Sequence, residues 1–162
     1  MPRAPWWRGA RGEWYVVVQF ALFALVAFGP RTLMGWPARA FPDACPVRAA
    51  GVALMAAGFF LMLAGILKIG ANMTPLPRPA EGAPLVETGP FRIVRHPMYA
   101  GAILMAFGWA LLSGGWLTFG YAAILLAFFD LKTRREEKWL GEKFSGYAAY
   151  RKRVRKLIPF IY

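Results

Sequence analysis

The sequence predicts an all-α integral membrane protein of about four transmembrane helices. Three observations carry that expectation. Of 162 residues, 58% are hydrophobic, 16% aromatic and only 17% charged, whereas a soluble domain carries about 25% charged residues. The apolar residues are gathered into long charge-free runs. The cations are segregated to the ends and loops of those runs, as the positive-inside rule expects. Mean hydropathy is +0.40. The length is that of one domain, and a core this small cannot bury so much apolar surface, which makes a lipid bilayer the natural solvent.

The elements follow in chain order. Trp14 to Pro30 carries no charge, and neither does Ala49 to Leu67; each suits one span. The first run, after an Arg-rich start and before "ARA" at 38–40, also fits a cleaved leader loosely. The Pro and Arg residues around 30–39 make a poor cleavage region, and a span suits the run as well. Pro97 to Phe129 is a third uncharged run, of 33 residues. One membrane helix needs about 20, and "SGGW" at 113–116 supplies turn-forming residues in its middle. Two short helices are expected there, roughly 98–112 and 116–131, joined by a tight hairpin. Residues 1–70 then hold two N-terminal spans, and 71–162 form a second region.

Orientation follows from Lys and Arg. The 113–116 turn has none and should face away from the cytoplasm. The 68–95 loop and the tail then face the cytoplasm, and four spans place both termini inside; the setting that fits is a bacterial cytoplasmic membrane. Three arginines in the 31–48 loop run against this scheme. From Asp130 onward the tail holds ten Lys/Arg and four Asp/Glu, 10 − 4 = +6. Within 131–145, Lys132, Glu136, Leu140 and Phe144 recur every four residues and share one helix face. Glu136 is thus expected on the apolar stripe, with Glu137 pointing elsewhere. Over 147–158, Tyr147, Tyr150, Val154 and Ile158 form a stripe among five cations, the pattern of a basic amphipathic helix on a membrane surface, ended by Pro159.

Several chemistries are excluded. The net charge of +12 invites a nucleic-acid reading, but its segregation makes anionic lipid headgroups the simpler partner. A single cysteine, Cys45, allows neither an internal disulfide nor a cysteine metal cluster, and one histidine cannot build a zinc site of the usual kind. Phosphate-binding glycine loops are absent, and Ser113 and Ser145 lack a triad setting.

Chemistry concentrates in "RIVRHPMYAG", residues 92–101. Pro97 suits a first helical turn, and the residue before proline prefers extended backbone. His96 should therefore sit just outside the third span, at its positive dipole end, with Tyr99 at the membrane boundary. Two readings stand: an interface anchor with snorkelling Arg95 and His96 as a cap, or a binding site that requires a partly buried acid, Glu136. The Pro-rich 71–95 loop, with five prolines and two glycines, leads straight into this stretch.

"LVETGPFRIVRHPMYAG" at 85–101, an apolar hairpin, "REEKWLGEKFSGYAAYRKRV" at 135–154 and a closing "IPFIY" together resemble the isoprenylcysteine carboxyl methyltransferase family, relatives of the membrane phospholipid N-methyltransferases. The signature G-x-[YF]-x-x-x-R-H-P-x-Y-x-G, followed about 35 residues later by E-E-x-x-L-x-x-x-F-x-x-Y-x-x-Y, is present in order. The resemblance covers about half the chain; the first two spans match only as spans.

It implies a multi-pass S-adenosylmethionine-dependent methyltransferase without a Rossmann domain. Its cofactor pocket would lie on the cytoplasmic side, formed by the Pro-rich loop, the R-H-P turn and the tail helices, and its product would be S-adenosylhomocysteine. Carried over by position, cofactor contacts fall on Ala83, Pro84, Leu85, Val86, Phe91, His96, Pro97, Met98, Tyr99 and Glu136. Catalytic roles fall on Lys132, Glu136 and His96. Lys132 stands where the family often has an arginine that serves the substrate; it keeps the charge but not the fork. The implied acceptor is lipophilic or amphipathic, with prenylcysteine, phospholipid amine, small thiol and isoprenoid acid all open. Related H-P-x-Y motifs occur in sterol-reductase-like proteins, so an NADPH-dependent oxidoreductase is one alternative and a non-catalytic membrane scaffold another.

Overall fold

The computed structural model describes residues 12–33, 43–70, 82, 84–159 and 161–162. Among these it is all-helical. Helix α1 is Glu13–Phe28, α2 Cys45–Ile69, α3 Pro97–Ser113, α4 Trp116–Lys143 and α5 Tyr147–Arg153, with a 3₁₀ turn at Gly89–Arg92. Two of these, α2 and α4, are long and apolar enough to cross a membrane, and α1 and α3 are shorter apolar helices. The outer face is greasy, with Phe28, Leu67, Phe60 and Phe20 each at least 60% exposed. Apolar surface on this scale needs lipid rather than water.

The third charge-free run folds as two helices with the turn at its glycines. Gly114 closes α3 in the left-handed region, φ 67°, and its N–H bonds the Ala110 carbonyl. The hairpin continues differently from the expectation. No break falls near residue 131: α4 runs unbroken for 28 residues from the apolar run into the charged stretch. Good helix formers span the boundary, so the composition changes there while the backbone does not.

The α2–α3 pair packs most closely. Gly51, Gly58 and Gly65 recur every seven residues on α2, and Gly101 and Gly108 repeat that spacing on α3. A Cβ placed on Gly58 would lie 2.5 Å from the Gly101 carbonyl oxygen, and one on Gly108 2.7 Å from the Gly51 carbonyl oxygen. Small residues thus let two backbones touch, the packing that apolar solvent favours. Helix α4 lies against α3 and α1. The shared core is Val26, Ile103, Ala106, Ala122, Leu125, Phe129 and Leu157.

The tail departs most from its sequence reading. Helix α5 ends at Arg153, and Val154 just beyond it is extended. Residues 154–156 run beside 94–96 instead: Arg95 N–H bonds the Arg155 carbonyl at 2.8 Å and His96 N–H the Lys156 carbonyl at 3.2 Å. The Arg95 guanidinium binds the carbonyls of Arg151 and Val154, satisfying groups that a helix end leaves open. Tyr147 and Tyr150 pack inside the protein rather than facing outward along a long surface helix. Two polar links explain this: the Tyr150 hydroxyl donates to the Phe91 carbonyl at 2.7 Å, and Arg153 pairs with Glu87 at 2.7 Å.

Candidate active site

The site forms where three pieces of backbone meet at the charged end of α4. His96 is the residue preceding α3, with Pro97 opening the helix. Its ring does not cap that helix. It turns instead towards the two acids of α4. His96 Nε2 lies 3.1 Å from Glu137 Oε1, and Nδ1 lies 3.9 Å from Glu136 Oε2. The ring stacks beside Tyr99, one helical turn on, with centroids 5.8 Å apart. Tyr99 stacks in turn on Phe129 at 4.6 Å, and the Lys132 ammonium sits 4.8 Å over the Tyr99 ring.

Glu137 corrects the sequence reading. It does not point away: its side chain is only 7% exposed, and Arg95 grips it at 2.7 Å. Consecutive helix positions differ by about 100°, yet the two adjacent acids reach the two nitrogens of one ring, Glu137 at Nε2 and Glu136 near Nδ1. Burial alone would raise the Glu137 carboxyl, but the hydrogen bonds and charges of His96 and Arg95 outweigh it and hold it at about 2. Glu137 is therefore ionised and accepts a proton-bearing Nε2 from His96, which fixes the imidazole's orientation.

Glu136 differs in kind. Burial pushes its carboxyl upward, against the pull of His96 and Lys132. Its Oε2 is inaccessible and has no hydrogen-bond partner among the described residues; the Tyr147 hydroxyl shares that condition. A buried carboxylate oxygen left unmatched is costly unless something donates to it. With Oε2 and His96 Nδ1 3.9 Å apart, one donor nitrogen can touch both. The arrangement suits a cationic or amino-bearing ligand.

The other expected residues divide. Lys132 is fully buried beside Tyr99 and joins the cluster. Pro97 is buried and packs towards Gly65 of α2, and Met98 is half-buried beside it. Phe91 is buried in the 3₁₀ turn. Pro84, Leu85 and Val86 lie in the extended stretch before that turn, Pro84 exposed and the other two half-buried. Ala83 lies outside the described residues. Sequence reasoning missed Arg95 and Glu137 as a buried pair, Phe129 as the platform for Tyr99, and Gln19 of α1, whose Oε1 accepts from Lys132 Nζ at 2.6 Å. The signal for Gln19 was present: it is the only amide in the run from Trp14 to Pro30.

The sequence profile of the phospholipid methyltransferase family matches residues 47–146. The chain belongs to that family. The matched stretch takes in α2, α3, α4 and the His96–Glu136 cluster. The chain is also similar to protein-S-isoprenylcysteine O-methyltransferases. It is 37% identical to that of Schizosaccharomyces pombe over 79 residues, 48% of this chain and 34% of the relative. It is 29% identical to Arabidopsis thaliana isoprenylcysteine O-methyltransferase B over 115 residues, 68% of this chain and 58% of the relative. A third similarity is to a steroid 5-alpha-reductase of Gossypium hirsutum, 33% identical over 101 residues, 62% of this chain and 35% of the relative. The chain thus spans between about a third and three-fifths of the length of these relatives. Family membership, an apolar exterior and two helices long and apolar enough to cross a membrane together fit a membrane protein.

Proposed function

We propose that the chain is a four-span membrane methyltransferase that uses S-adenosylmethionine and methylates a lipid-like or amphipathic acceptor at the cytoplasmic face. The observation that carries this reading is the unmatched, buried Glu136 Oε2 facing His96 Nδ1, within the stretch the family profile covers. S-adenosylmethionine, when bound, supplies an electrophilic methyl group on a sulfonium centre. The Glu136 carboxylate would receive its positive charge, and His96, oriented by Glu137, would offer Nδ1 to an amino group. Tyr99 and Phe129 would hold the ring stack that keeps His96 in place. Lys132 would meet an anionic acceptor and orient it for in-line attack, where placement supplies much of the rate. An acceptor carboxylate, as in an isoprenylcysteine, needs no general base, so His96 is not required to act as one.

The test is transfer of labelled methyl from S-adenosylmethionine, using detergent-purified protein with N-acetyl-S-farnesylcysteine, total membrane lipid and small thiols as acceptors. Label should appear in at least one acceptor and be lost in His96→Ala. No transfer to any class would remove the reading. The similarity to a steroid reductase supports a second reading, NADPH-dependent reduction of a sterol-like substrate. NADPH oxidation with such a substrate, and no methyl transfer, would favour it.

A further inference from the structure

The charged end of α4 also borders a cavity that the chemistry above leaves unused. Its volume is about 570 Å³, within the about 300–1,000 Å³ of small-molecule sites. Six cations line it, Arg95, Arg134, Lys138, Arg151, Arg155 and Lys156, and the acid in its wall is Glu137. Two carboxylates take up part of that charge. Glu137 holds Arg95 at 2.7 Å and lies 3.7 Å from Arg151. Asp130 meets Arg134 at 2.7 Å and also pairs with Lys156. Lys138 and Arg155 are exposed and have no ion-pair partner among the described residues. Six cations against Glu137 and Asp130 leave 6 − 2 = +4, and a terminal carboxylate at Tyr162, if counted, would still leave +3. Like charges around one cavity repel one another until an anion joins them.

The position of the cavity indicates which anion. Asp130 is the first charge after the apolar run of α4. Arg134 and Lys138 stand one and two turns further, about 6 and 12 Å along the helix axis. The head-group layer of a bilayer starts where the apolar core stops and is about 5–8 Å deep on each side. The rim of the cavity is mixed. Ile161 is 75% exposed and Tyr162 46%, side chains that suit an acyl-chain boundary and an aromatic belt. The Tyr162 hydroxyl donates to Asp130 Oδ1 at 2.8 Å, which ties this rim to the end of the apolar run. Guanidinium groups meet phosphate oxygens two at a time, as a fork. We propose that the cavity binds the phosphate head group of an acidic membrane phospholipid, with Lys138 and Arg155 meeting the phosphate and Ile161 and Tyr162 against the acyl chains. The proposal needs the chain in a bilayer; it does not depend on methyl transfer or on Glu136.

The test is native mass spectrometry of the full chain in detergent with equimolar dioleoylphosphatidylglycerol and dioleoylphosphatidylcholine. Wild type should retain phosphatidylglycerol over phosphatidylcholine by about tenfold or more, the scale of two cations at an anionic surface. The double variant Lys138→Gln with Arg155→Gln should lose most of that preference and, because both positions are exposed, keep the wild-type melting temperature. A second double variant, Arg92→Gln with Lys152→Gln, removes the same charge from exposed positions outside the cavity and should keep the preference. Equal retention of the two lipids by wild type, or equal loss of preference in both double variants, would overturn the proposal. So would glycerol 3-phosphate binding as tightly as phosphatidylglycerol, because the ligand would then be a soluble phosphate rather than a lipid.

Discussion

Two adjacent glutamates divide the work at the residue scale. Glu137 is a structural anchor, locked to Arg95 and His96, whereas Glu136 keeps an unmatched buried oxygen. Their substitutions should therefore separate. Glu136→Gln should weaken S-adenosylmethionine binding about tenfold or more with little change in melting temperature, as read by calorimetric titration and thermal denaturation. Glu137→Gln should chiefly lower stability, since it leaves Arg95 buried with one partner fewer. The pH dependence follows. The Glu137 carboxyl is held at about 2 in the folded protein, below its ordinary 4.5. Its stabilising contribution, on the order of 3 kcal/mol from that shift, is complete above the ordinary value and is lost as pH falls towards about 2. Melting temperature should drop between pH 5 and 3 in wild type and drop less in Glu137→Gln.

At the element scale, α2 and α3 meet backbone to backbone. Gly58→Leu would drive a side chain into the Gly101 carbonyl, and it should cost several kcal/mol by the overpacking route. Gly120 on α4 faces open space, with nothing within 4 Å of where a Cβ would sit, so Gly120→Ala should leave the melting temperature unchanged or slightly raised. Tyr150→Phe should lower stability by about 1 kcal/mol, the usual worth of one hydrogen bond, because it removes the tie from α5 to the Phe91 carbonyl. The elements were unevenly legible in the sequence. The α3–α4 turn could be read directly, because Gly114 and Gly115 interrupt an apolar run. The seven-residue glycine repeat on α2 was equally visible but carried no partner until α3 lay against it. The short α5 could not be read at all. Its stripe of Tyr147, Tyr150, Val154 and Ile158 fits a longer helix, and only the pairing of 154–156 with 94–96 stops it.

At the scale of the whole molecule, the fold brings His96, Tyr99, Lys132 and Glu136 together across about forty residues of sequence. Spacing could mark these side chains as candidates. It could not show that Arg95 and Glu137 would form the buried pair beneath them, because that depends on the angle at which α4 meets the R-H-P turn. The four-span arrangement makes a separate prediction. With Cys45 replaced by Ala, Ser113→Cys should react with a membrane-impermeant maleimide from the outer side in spheroplasts. Ser145→Cys should react only after the membrane is opened; labelling of both from one side would break the arrangement. The central claim is that this cluster holds a methyl donor. Calorimetric titration of S-adenosylmethionine into the purified chain in nanodiscs tests it most directly. Saturable one-to-one binding, weakened about tenfold or more in Glu136→Gln and His96→Ala, is the predicted result. Absence of binding by wild type, or binding that both substitutions leave intact, would contradict it.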